Sequence, residues 1–122
     1  MKLRIKSNSI RIRLTKTEVS TLASAGYLED QTLFANNKLV YALQKVDTGN
    51  ELSAAFEGNK ITMLVPSVLI KDWPENDVVG FEARMSVAEN QSLYLLLEKD
   101  FVCLDETTED QSDNYENPAK TC

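Results

Sequence analysis

Residues 6–22, KSNSIRIRLTKTEVSTL, and residues 57–73, EGNKITMLVPSVLIKDW, carry the same pattern twice. Asn8 stands against Asn59, Ile10 against Ile61, Ile12 against Met63 and Leu14 against Val65, each pair 51 positions apart. Val19 with Ile70 and Leu22 with Trp73 continue the match into a helical stretch. The segment GYLEDQTLF (26–34) then falls opposite DVVGFEARM (77–85) at the same offset. LVYALQK (39–45) matches LYLLLEK (93–99) after a three-residue insertion. The repeated order is strand, strand, helix, strand, strand.

Local chemistry supports each element. Residues 2–6 and 9–14 alternate strictly, with Leu3, Ile5, Ile10, Ile12 and Leu14 on one face, as a half-buried strand requires. Thr15 with Glu18 three residues on is a capping box, and Leu14 and Val19 can staple the helix start. That helix is expected to reach about Ala25, where Gly26 suits the left-handed residue past its end. Tyr27 to Phe34 and Leu39 to Val46 follow as strands around the turn ANNK. A second, shorter helix is expected near Ser67 to Trp73, stopping before Pro74. The predicted fold class is α+β, mainly antiparallel β, with two short helices. A duplicated ββαββ unit (halves about 1–47 and 51–104, joined at DTGN) forms one domain over 1–104. Closing the eight strands as a meander into a barrel or split barrel would hide the sheet edges, and an open or split sheet with helices on one face is the competing arrangement. Residues 105–122 form an acidic tail expected to pack on this domain.

Composition narrows the chemistry. The chain has 122 residues and a formal charge of -6, which suits a single domain. It contains no histidine, which removes Ser-His-Asp, Cys-His and His-metal chemistry. Neither a glycine-rich dinucleotide fingerprint nor a Walker loop is present. There is no apolar run of membrane-spanning length, and the N-terminus lacks the apolar centre of a secretory signal, so a cytoplasmic protein with no membrane partner is expected. Nucleic acid is a poor partner for this net charge, since the basic strip has no interleaved aromatics.

The N-terminal strip is nonetheless basic. A two-residue turn at Ser7-Asn8 sets Lys6 opposite Ser9, Arg4 opposite Arg11 and Lys2 opposite Arg13. Facing like charges cost a few tenths to about 1 kcal/mol per pair. In the second copy Glu57 faces Lys60, an attractive pair, and Ala55 faces Thr62. Lys2, Arg4, Lys6, Arg11 and Arg13 are therefore the candidate ligand-binding residues. Water, an anionic ligand such as a phosphate chain, or acidic groups of the same chain can each relieve the crowding.

The tail DETTEDQSDNYENPAKTC supplies an internal candidate, with Asp105, Glu106, Glu109, Asp110, Asp113 and Glu116 opposed by Lys120 and anchored by Tyr115 and Pro118. Folding back onto the basic hairpin, it would act as an intramolecular partner. Asp110, Asp113 and Glu116 are also hard oxygen ligands, although the segment lacks the glycine and spacing of an EF-hand. Cys103 and Cys122 read as free thiols, with a mutual disulfide or shared metal as alternatives.

The element order resembles the CYTH-like, or triphosphate tunnel, superfamily over residues 1 to about 100. That resemblance implies an eight-stranded antiparallel barrel of two related halves, whose polar interior binds triphosphate with metal ions. The family's Glu-x-Glu-x-Lys strand reads KLRIK here: Lys6 takes the lysine place, and Lys2 and Arg4 stand in place of the glutamates. The whole chain also looks like a small uncharacterised bacterial family, with no activity to carry over.

The leading expectation is a protein, more a binder than an enzyme, that holds a phosphate-containing ligand or acidic partner through the basic hairpin, with no cofactor identified. One alternative is a divergent metal-dependent phosphohydrolase using Glu82, Arg84 and Glu98, with Glu82 and Glu98 turned inward as metal-positioning carboxylates. The other is a homodimeric interaction module with no small ligand, suggested by Leu93, Leu95 and Leu97 alternating with Tyr94 and Leu96, which makes that strand apolar on both faces.

Overall fold

The computed structural model describes residues 1–101 and 112–116. Cys103, Cys122 and the tail residues Asp105, Glu106, Glu109, Asp110, Pro118 and Lys120 fall outside that range. The first half runs β1 (Lys2–Lys6), β2 (Ser9–Leu14), α1 (Lys16–Ala25), β3 (Tyr27–Leu33) and β4 (Lys38–Val46). The second runs β5 (Ser53–Glu57), β6 (Lys60–Pro66), α2 (Ser67–Ile70), a 3-10 turn (Trp73–Glu75), β7 (Gly80–Ala88) and β8 (Gln91–Lys99).

Helix α1 forms where its caps direct it. The Glu18 N–H donates to Thr15 Oγ1 and the Thr15 N–H to Glu18 Oε1, completing the capping box. Gly26 closes the helix at φ +79°. The second helical segment is shorter than its sequence suggests. Pro66 precedes it without a side-chain cap, α2 makes a single turn, and Pro74 lies inside a separate 3-10 turn. A proline in the first turn of such a segment gives up no internal hydrogen bond, so it redirects the chain there and does not terminate an α-helix.

The hairpins pair in the register that their turns dictate: Arg4 lies opposite Arg11 and Lys2 opposite Arg13, while Glu57 lies opposite Lys60. The larger assembly differs from the expected meander. One sheet has the order β1-β2-β8-β7 and the other β3-β4-β6-β5. Each joins a hairpin of one half to a hairpin of the other through a parallel central ladder, β2 with β8 and β4 with β6. The barrel is therefore not closed. Beside the β5–β7 seam the Ala54 N–H reaches the Met85 sulfur (3.4 Å), a side-chain contact with no backbone ladder.

Exchanging the halves turns one sheet order into the other. The register follows: Ser9 is the Cα partner of Tyr94, and Lys60, 51 positions after Ser9, is the partner of Val40, 54 positions before Tyr94. Corresponding asparagines hold both central ladders. Asn8 Nδ2 donates to the Ser92 carbonyl (2.7 Å) and Asn59 Nδ2 to the Lys38 carbonyl (2.8 Å). Their own carbonyls accept from the Tyr94 and Val40 N–H groups. The third strand of the unit corrects the sequence alignment: Tyr27 pairs with Gln44 and Gly80 with Glu98, so Gly80 occupies the place of Tyr27, two residues beyond the expected match.

The two sheets face each other across one core. Ile10, Ile12, Leu95 and Leu97 meet Leu43, Ile61, Met63 and Val65, while Val19, Leu22, Ile70 and Trp73 close the helical end. The four hairpin turns among the described residues gather at the opposite end, because each parallel ladder starts its two strands side by side.

Candidate functional site: a cation-lined face on the first sheet

The side chains alternate across β2 and β8, so burying Ile10, Ile12, Leu95 and Leu97 turns Arg11, Arg13, Tyr94, Leu96 and Glu98 to the outer face. Lys2, Arg4 and Lys6 join them from β1, and Glu82 and Arg84 from β7, where Ala83 faces the core. The structure thus assembles all eight sequence-derived site residues on one sheet face. Glu82 and Glu98 point away from the core and not inward, because Phe81, Ala83, Leu95 and Leu97 take the inner positions.

Glu98 is the counter-charge at the middle of this face. Its Oε1 lies 3.1 Å from Arg11 Nε and 3.6 Å from Arg13 Nε. The Arg11 contact is out of line for a hydrogen bond, and Arg11 Nε is buried with no hydrogen-bond acceptor. Gly80, directly opposite Glu98, leaves room for it: a Cβ there would lie 2.9 Å from Glu98 Cγ and 2.3 Å from the Leu97 carbonyl oxygen. Lys2 Nζ is 3.0 Å from Asp100 Oδ2, and Asp100 is buried. No carboxylate among the described residues lies within ion-pair distance of Arg4 or Lys6.

On the other flank Tyr94 donates its hydroxyl to Glu82, which raises the phenol above its ordinary pKa. The Arg84 guanidinium lies 4.5 Å from the Tyr94 ring centroid. Glu82 is therefore committed to Tyr94, and Glu98 to two arginines. The described residues contain no group of three or more acidic or cysteine side chains placed to hold a metal ion.

Two depressions border the cations. A groove of about 550 Å³ runs beside β1, lined by Lys2, Arg4, Arg11 and Arg13 together with Leu39 and Tyr41. A smaller one, about 150 Å³, lies between Arg4, Lys6, Ser9, Arg11 and Leu96 on the sheet face. The apolar outer residue Leu96 thus sits among cations, and no helix among the described residues lines that depression.

Residues 112–116 pack against the start of α1. The Lys16 N–H donates to the Asp113 carbonyl (3.0 Å) and the Thr17 N–H to Asp113 Oδ2 (3.3 Å). Hydrogen bonds from Thr15 and Thr17, with Lys16 nearby, lower the Asp113 pKa. The Tyr115 N–H donates to the Asp100 carbonyl (2.7 Å), and Asn114 is buried. Lys99, 4% exposed, donates to the Asn76 carbonyl and lies 4.9 Å from the Tyr115 ring centroid; burial pushes its pKa down. Sequence reasoning missed Lys99, Asp100 and Tyr94, because period-two alternation gives a residue's face but not the neighbours it meets there.

The chain is thus an α+β protein of two four-stranded, mainly antiparallel sheets with a cation-lined outer face. A family model described as a family of unknown function (DUF7009) matches residues 1–119, and the chain belongs to that family. No curated protein and no solved structure matches the chain. No helix among the described residues is long and apolar enough to cross a membrane.

Proposed function

We propose that this protein binds a phosphate-containing anion in the groove beside β1, with Arg4, Arg11 and Arg13 as the principal ligands, Lys2 at its margin and Lys6 in the smaller depression that shares Arg4 and Arg11. The observation that carries this reading is a charge imbalance. Arg11 and Arg13 share the single carboxylate of Glu98, and Arg4, directly opposite Arg11, has no described carboxylate within ion-pair distance. A phosphate offers several acceptors to guanidinium forks and would relieve the repulsion between Arg4 and Arg11. The matching strand orders and registers of the two halves further support a duplicated ββαββ unit, the feature that resembles the triphosphate tunnel superfamily.

Thermal unfolding at low ionic strength, with added inorganic phosphate or tripolyphosphate, tests the reading. Both should raise the midpoint, tripolyphosphate more so, and Arg4→Ala and Arg11→Ala should each reduce the rise. An unchanged midpoint in both titrations overturns it. Release of phosphate from tripolyphosphate with magnesium or manganese would instead favour the phosphohydrolase alternative.

A further inference from the structure

At the turn end the two sheets part around a cavity of about 490 Å³. Its walls include Ile5, Ile10, Phe56, Val87 and Leu93, and it takes a side from Leu39. Phe56 is 68% exposed and Ile5 55%, so its mouth opens to solvent. Leu39 also lines the cation-bearing groove, so the two spaces share it as a wall. Ile5 lies between Arg4 and Lys6 in sequence, and strand alternation gives the cavity Ile5 while its neighbours turn to the charged face.

We propose that groove and cavity form one cleft for an anionic amphiphile: a single-chain alkyl phosphate, its phosphate on Arg4, Arg11 and Arg13 and its chain between the sheets. This rests on the anion-binding reading above and names the ligand class. Three observations favour this occupant. The cavity volume falls in the range of small-molecule sites. Its walls carry apolar side chains that recognise shape and not hydrogen bonds. The adjoining cations select a negative headgroup. A second copy fits less well. Leu33 and Phe34, the exposed apolar pair at the β3–β4 turn, are followed by Lys38, which an inserted turn would carry toward the existing cations.

The test is calorimetric titration with butyl, octyl and dodecyl phosphate below their micelle concentrations, against inorganic phosphate and dodecanol. Affinity should rise with chain length, by up to about fourfold per buried methylene. Arg4→Ala should weaken all the phosphates. Ala54→Phe, which fills the cavity, and Ile5→Gln, at its exposed mouth, should abolish the chain-length dependence and leave inorganic phosphate binding intact. Phosphate binding with no chain-length dependence overturns this inference and leaves the anion reading standing. Failure of every phosphate to bind overturns both. Equal binding of dodecanol and dodecyl phosphate, or a solution mass that doubles with concentration and blocks alkyl binding, overturns the amphiphile and assigns the cavity to an uncharged ligand or to a second copy.

Discussion

Arg4 and Arg11 are Cα partners across the β1–β2 hairpin, and their shared face holds Glu98 as the carboxylate in contact with Arg11. Two guanidinium groups so placed repel, and the fold retains the arrangement at some cost in stability. Arg4→Thr should therefore stabilise the protein by about 0.5 kcal/mol, the gain shrinking as salt screens the repulsion. Chemical denaturation at low and high ionic strength measures it. The same variant should show a smaller phosphate-dependent stabilisation, which separates the structural from the binding role of Arg4.

Glu98→Gln should act in the opposite direction. It removes the carboxylate shared by Arg11 and Arg13 and leaves those two arginines crowded beside Arg4. A loss of about 1 kcal/mol is expected without ligand, since these partners are partly exposed. With the internal competitor gone, phosphate should bind more tightly and recover part of that loss. Denaturation with and without phosphate checks both signs.

Asn8→Ala and Asn59→Ala should each cost about 1 kcal/mol, because each removes a side-chain hydrogen bond from a turn to the neighbouring parallel strand. The structural equivalence of the two predicts similar penalties. Amide exchange should then quicken at Tyr94 in the first variant and at Val40 in the second, whose N–H groups donate to the same turns. Penalties that differ widely would separate two positions that the topology makes equivalent.

Asp113 provides a pH signature. Its folded-state pKa is lowered by bonds from Thr15 and Thr17 at the start of α1. Its contribution is therefore complete above the ordinary aspartate range and is lost as pH falls through the depressed folded value. Asp113→Asn should be less stable than the parent near neutrality, and the gap should close in acid. Thermal midpoints across the acid range test this sign; a gap that widens in acid would contradict it.

The sequence made the hairpins legible because their information is local. Ser7-Asn8 and Gly58-Asn59 set cross-strand registers within a few residues, and Thr15, Glu18 and Gly26 mark the ends of α1 unaided. The candidate cations were found by the same logic, since alternation alone puts Arg11 and Arg13 on one face. What alternation could not supply was the neighbour of β2. Parallel pairing with β8 is decided by Ile10, Ile12, Leu95 and Leu97 burying together against the second sheet, an interaction between distant segments. The face of Glu98 followed from that choice. So did the place of Gly80, which is fixed by the lack of space beneath a would-be Cβ.

The hybrid make-up of the sheets has a consequence for how the chain must be synthesised and folded. Ser9 meets Tyr94, so the first sheet cannot be completed until β8 has emerged. Neither half owns a finished sheet, and a nascent first half would present two hairpins awaiting partners that do not yet exist. A chain severed between Asp47 and Glu51 should yield fragments that are unstructured apart and regain native spectra only when mixed, as mutual templates. Such late, long-range closure should make folding slow for a chain of this length.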